Sequence, residues 1–177
     1  MKDAPQVSNT TVFEFASLSK TLIGIAAMLL YEKGLLKPQD DVSTHLPFQL
    51  RNPYFLDVPI TLHGLLTHTS SIKDDAYNDI PAGQIYFEGD APMSLEAFYN
   101  AMLKRDGKWY KNSNFWNRMP QTHFDYSNIG ASLAAYIVEI VAKKASLAES
   151  YDGFVRSYIL KPLGISNAGY LVKDFGG

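Results

Sequence analysis

Residues 13–30 read FEFASLSKTLIGIAAMLL. A Ser and a Lys stand three apart, Ser17 and Lys20, at the mouth of a long apolar run. From Leu18 to Leu30 the apolar residues fall on every side of a helical wheel, the pattern of a helix buried all round. Tyr31, Glu32 and Lys33 make a polar exit, Gly34 suits the C′ position and Pro38 follows. Ser17 or Ser19 suits the cap at the start. Positions i and i+3 are neighbours on a helix surface. A Ser at the N-terminus lies in the positive field of the helix dipole. A Lys beside it takes the hydroxyl proton only when neutral. A free lysine titrates near ~10.4, so base action near neutral pH needs a drop of about three units, roughly 4 kcal/mol. A buried, apolar site pushes in that direction. The other reading is a helix cap and a snorkelling Lys, and the spacing alone favours it.

The spacing is cheap. With Ser near ~7% and Lys near ~6% of residues, a chain this long shows about one S-x-x-K by chance. This one shows two. The second, Ser70 to Lys73 in LLTHTSSIKDD, precedes a polar loop in which a three-residue spacing fixes no geometry.

The bulk composition bounds the function classes. The 177 residues suit one domain or a large part of one. With 46% hydrophobic and 19% charged residues, the chain is of ordinary globular type. A net charge of −2 without charge blocks leaves no footprint for nucleic acid and no basic membrane-surface helix. There is no Cys, so disulfides, Cys-based zinc sites and thiol catalysis are excluded. The N-terminal residues carry no signal-peptide pattern. The run 21–30 is too short for a bilayer, which takes ~20 residues. None of this assigns a compartment.

Further along, four prolines in 37–59 and little periodicity predict an ordered loop with short turns. Residues 60–71 hold a short helix at most, and 73–92 read as loop. Ser94 caps a helix whose apolar face is Leu95, Phe98, Tyr99, Met102 and Leu103. A stronger helix runs from about Ser127 to Ala145, with Ile129, Leu133, Ile137, Ile140 and Val141 on one face. Another, about 149–160, is stopped by Pro162. No alternating strand pattern and no repeat is present. In the aromatic loops, Trp109, Tyr110, Phe115 and Trp116, and likewise Tyr77, Tyr86 and Phe87, read equally as a cleft lining or as core anchors. His63 and His68 are five apart, which does not suit two ligands on one helix face, and no third ligand is apparent.

Tyr126 and Asn128 stand just before the 127–145 helix, in FDYSNIGASLAAYIVEIVAKK (124–144). Taken in order, VFEFASLSKTLIGIAAMLLYEKGLL, LLTHTSSI, THFDYSNIGASLAAYIVE and YILKPLGISNAGYL resemble the serine β-lactamase-like family: class C β-lactamases, penicillin-binding proteins and related serine esterases. The resemblance runs from about Val12 to Leu171, and S-x-x-K is among the signatures of such enzymes. It implies that Ser17 is the acylated nucleophile and Lys20 its proton partner. It further implies that Tyr126 shares the proton network near the leaving group. Asn128 would hydrogen-bond a substrate amide or the Lys, and His68 would pack and form a turn. The substrate would be a β-lactam, a peptide ending in D-amino acids or a small ester. No metal or organic cofactor is implied.

The family pattern is incomplete. Its third motif, K-T-G, K-S-G or H-x-G on a β-strand, is not found, and KDFGG (173–177) lacks the pattern. That strand also supplies one oxyanion-hole N–H in the family. Ser71 stands where the family usually has Gly. The expected fold is therefore mainly α: the helical region of the α/β fold, with most of the β-sheet absent. Residues 1–11 form a loose segment, 12–172 a partial domain and 173–177 a tail. Without the sheet, Ile23, Ala27 and Leu30 are expected to lose cover. A homo-oligomer or a covering partner then follows. The alternative to an enzyme is a catalytically incomplete fragment that binds a partner or self-associates.

Overall fold

A computed structural model describes residues 6–9, 11–80 and 89–175. Tyr86 and Phe87 lie outside the described residues. The helices are α1 (Lys20–Glu32), α2 (Leu62–Leu66), α3 (Leu95–Met102), α4 (Asn128–Lys144) and α5 (Tyr151–Val155), which continues as a π-helical turn over Arg156–Leu160. Among the described residues no strand forms. Three isolated antiparallel bridges pair Asp41 with Thr61, Arg51 with Pro59 and Ile72 with Phe115. The architecture is mainly α, as the sequence predicts.

Helix α4 is the axis of the fold, and α1, α2, α3 and α5 all pack on it. Ser127 caps it, accepting from the Gly130 N–H at 2.9 Å, and Lys143 and Lys144 meet the negative end. Ile129, Leu133, Ile137 and Val138 are fully buried along it. Each such side chain contributes roughly 1.5–3 kcal/mol by leaving water. Ser94 and Thr61 cap α3 and α2 in the same way. Of the expected α3 face, Tyr99, Met102 and Leu103 are buried, while Leu95 and Phe98 pack partly covered at its margin. Past α5, the Lys161 N–H reaches the Arg156 carbonyl, and Pro162 has no N–H to continue the helix.

Helix α1 departs from expectation at its start and on one face, while its Gly34 end is the expected one. It starts at Lys20, behind a 3-10 turn over Ala16–Ser19, and neither Ser supplies a side-chain cap. Ser19 Oγ instead donates back to the Ala16 carbonyl at 2.6 Å. Its far end closes as a Schellman motif: Gly34 adopts φ 71°, its N–H reaches the Tyr31 carbonyl, and the Leu35 N–H reaches that of Leu30. The helix is not covered all round. Ile23, Ala27 and Leu30, expected to lose cover, are buried against the helical core. Ile25, Met28 and Tyr31 are the helix's exposed large apolar residues, Ile25 to 45% and Met28 to 37%. The contiguous run hid which side faces α4, because a wheel that is apolar everywhere carries no direction.

The aromatic loop supplies core. Phe115 and Trp109 are buried, Tyr110 packs against them, and Trp116 Nε1 donates to Asp125. Tyr77 stacks on Phe98. Ser71 takes φ 66°, a left-handed conformation that suits the usual Gly, and its hydroxyl accepts from the buried Asn52 amide at 2.8 Å. At the other end Asp174 accepts from Arg156. No described helix is long and apolar enough to cross a membrane.

Candidate active site

The 3-10 turn lifts Ser17 to the surface at the mouth of α1, one residue after Ala16, which holds φ 44°. A left-handed Ala costs roughly 1–2 kcal/mol. The strain sits where the chain turns into the helix. One turn on, Lys20 Nζ donates to Ser17 Oγ at 3.1 Å. From the segment just before α4, Tyr126 Oη comes within 2.7 Å of the same Oγ. The two residues are 109 positions apart in the chain. Tyr126 Oη also faces Asn128 Oδ1 at 3.4 Å. Ser17, Lys20, Tyr126 and Asn128 thus meet at one place.

The second S-x-x-K pair does not form a site. Ser70 is buried with its hydroxyl near the Ile72 N–H, while Lys73 lies over the Trp116 ring, 3.9 Å from its centroid.

Lys20 sets the electrostatics. Its Nζ lies 5.2 Å from the centre of the Tyr126 ring. The Lys20 ammonium first, and the Ser17 hydroxyl second, pull the Tyr126 phenol below its ordinary value of 10.0; partial burial and the Asp74 charge oppose them. Under Tyr126 lies His68, with ring centroids 4.5 Å apart. His68 sits at φ 57° and its Nδ1 accepts from the Ser127 N–H at 3.2 Å. Burial, then the Lys20 charge, lower the His68 pKa, which keeps Nδ1 free to accept. His68 packs and forms a turn, as the resemblance implies, and it also supports the phenol.

Two contacts were not visible in the sequence. Asp74 accepts from three groups at the start of α4, and the Tyr170 hydroxyl donates to the Ser19 carbonyl at 3.0 Å. Asp74 stands outside the blocks that carry the resemblance, and Tyr170 stands in YILKPLGISNAGYL, from which the resemblance implies no role for it. Only the fold brings them to the site.

The family model described as Beta-lactamase matches residues 1–176. The chain belongs to that family. It is 31% identical over 161 residues to PbpX of Bacillus subtilis (strain 168), a protein named for penicillin binding, covering 90% of this chain and 33% of that protein. It is 27% identical to Protein flp of Staphylococcus aureus (strain N315), covering 93% of this chain and 29% of that protein. The chain therefore spans about a third of the length of the curated relatives it matches. Among solved structures, the octameric penicillin-binding protein homologue from Pyrococcus abyssi aligns with a TM-score of 0.58 at 30% identity, over 84% of this chain and 30% of that one. The penicillin-binding protein from Bacillus halodurans aligns with a TM-score of 0.67 at 24% identity, over 94% and 44%. The helical arrangement is thus part of the β-lactamase and penicillin-binding-protein fold.

Proposed function

We propose that Ser17 is the nucleophile of an acyl-transfer reaction on a β-lactam, a peptide ending in D-amino acids or a small ester. One observation carries the reading: a hydroxyl on one segment is held by Tyr126 Oη at 2.7 Å and Lys20 Nζ at 3.1 Å. A hydroxyl is a weak nucleophile until a neighbouring group takes its proton. The lowered Tyr126 phenol is suited to that task, with Lys20 as the cation that favours its phenolate. In acylation Ser17 Oγ bonds to the substrate carbonyl carbon and its proton passes to Tyr126 Oη. The amine or alkoxide then leaves, taking that proton. Water attacks the Ser17 ester, releasing the acid and restoring the hydroxyl. Asn128 serves the substrate side of the phenol. A fluorophosphonate or fluorescent penicillin probe tests this. Labelling of the wild type that disappears in Ser17→Ala supports the reading, and labelling that persists removes Ser17 from the role.

A second reading rests on the open side of α1. Thr21, Gly24, Ile25 and Met28, with Leu66 of α2, line an open groove there. An apolar helix face of this kind suits a partner surface or a second copy. Sedimentation tests it. Association that weakens in Ile25→Glu supports it, and a monomer at every concentration refutes it.

A further inference from the structure

The stretch after the LLTHTSSI block reads Lys73-Asp74-Asp75 and looks like solvated loop. In the fold, Asp74 reaches across to the start of α4. Its Oδ1 accepts from Ser127 Oγ at 3.0 Å and from the Ile129 N–H at 3.0 Å. Its Oδ2 accepts from Asn128 Nδ2 at 2.6 Å. The Ile129 N–H is one of the unpaired donors at a helix start, so Asp74 and Ser127 together cap α4.

The bond to Asn128 carries more than capping. An amide side chain has a donating end and an accepting end, and which end points where follows from its partners. A carboxylate only accepts. Asn128 must therefore turn its NH₂ to Asp74, which leaves Oδ1 facing Tyr126 Oη at 3.4 Å. We propose that Asp74 is a positioning residue for the acyl-transfer site, fixing through Asn128 that an acceptor, and not a donor, faces the Tyr126 hydroxyl. The inference rests on the reading of Tyr126 as proton carrier. An acceptor there favours the neutral phenol, a donor the phenolate. Asp74 thus restrains the phenolate that Lys20 promotes, and the phenol can both take and return a proton. The charged and titratable groups facing Tyr126 are Lys20 from α1, and His68 and Asp74 from the segment after α2.

Asp74→Asn is the test. It keeps the shape, and its Oδ1 still accepts from Ser127 and Ile129. Its NH₂, however, meets the NH₂ of Asn128. Asn128 relieves the conflict by rotating, which aims its donor at Tyr126. The readout is the pH titration of Tyr126, followed by NMR of ¹³Cζ-labelled tyrosine, which needs no activity. The expected shift is downward by about half a unit or more, and the alkaline rise of fluorophosphonate labelling moves with it, a change of ~3-fold at a fixed pH on the rising limb. In an Asn128→Ala background the same substitution shifts the titration less. An unmoved titration overturns the proposal. So does a shift of equal size without Asn128, since that is the bare charge of Asp74 acting directly. A measurement on the wild type covers the case in which Asp74→Asn does not fold: one Asn128 side-chain amide proton exchanges slowly with solvent. If both exchange as in a free amide, the proposal fails. Wild-type protein that the probe does not label defeats the proposed function instead, and leaves the NMR result to judge Asp74.

Discussion

Tyr126→Phe isolates the proposed proton transfer from the rest of the site. The substitution removes one oxygen, the atom 2.7 Å from Ser17 Oγ and 3.4 Å from Asn128 Oδ1. The ring stays on His68, 4.5 Å centre to centre. Tyr126 is exposed, so folding stability changes by no more than about 0.5 kcal/mol. Acylation changes far more. A positioned general base contributes ~10²–10⁴ in rate, or about 3–5 kcal/mol of barrier at 1.36 kcal/mol per decade. The assay is the pseudo-first-order rate of fluorophosphonate labelling across pH, with Tm measured alongside. In the wild type the rate rises as the phenol ionises, and because Lys20 holds that phenol below 10.0 the rise comes below pH 10. In Tyr126→Phe the rate falls by about two to four decades and the rise attributable to the phenol is lost. Labelling within about threefold of wild type, with the same pH dependence, refutes the role.

Buried phenols predict the alkaline limit of stability. Burial, then the charges of Glu96 and Glu139, push Tyr136 up to about 12, and burial raises Tyr99 and Tyr151 as well. An unfolded tyrosine titrates near ~10, so the contribution is whole below pH 10 and is lost as pH rises through the folded value. For Tyr136 that is about 2–3 kcal/mol lost between roughly pH 10 and 12. Urea midpoints measured over that window should fall steeply, and Tyr136→Phe should flatten the fall. Gly107 follows α3 where a Cβ would lie 2.3 Å from the Asn100 carbonyl oxygen and 2.4 Å from that of Ala101. Those are backbone atoms and cannot rotate away. Gly107→Ala should therefore cost about 1–3 kcal/mol. A thermal melt should show a drop of roughly 2–12 °C at 2–4 °C per kcal/mol, and an unchanged Tm rejects the clash.

The local features of the fold were legible because their causes are local. The Ser94 cap and the Gly34 helix end lie within a turn of the atoms they serve. The facing of α3 followed from its period, which sets one side toward the core. Ser17 and Lys20 were readable as neighbours for the same reason, since three residues apart is one helical turn. Direction was not legible where the pattern had none. Helix α1 is apolar on all sides, so whether Ile23 or Ile25 meets α4 depends on how the two helices dock.

By itself, then, the sequence determined where the main helices lie, the Ser94 cap, the Gly34 end of α1 and the resemblance that singles out Ser17, Lys20, Tyr126 and Asn128. Tertiary structure alone decided that Tyr126 closes on Ser17 across 109 residues, and that Asp74 holds Asn128. The reason is the range of the forces involved. Caps and helical periods are set by bonds within a few residues, whereas the distance between two helices is set by the packing of every side chain between them.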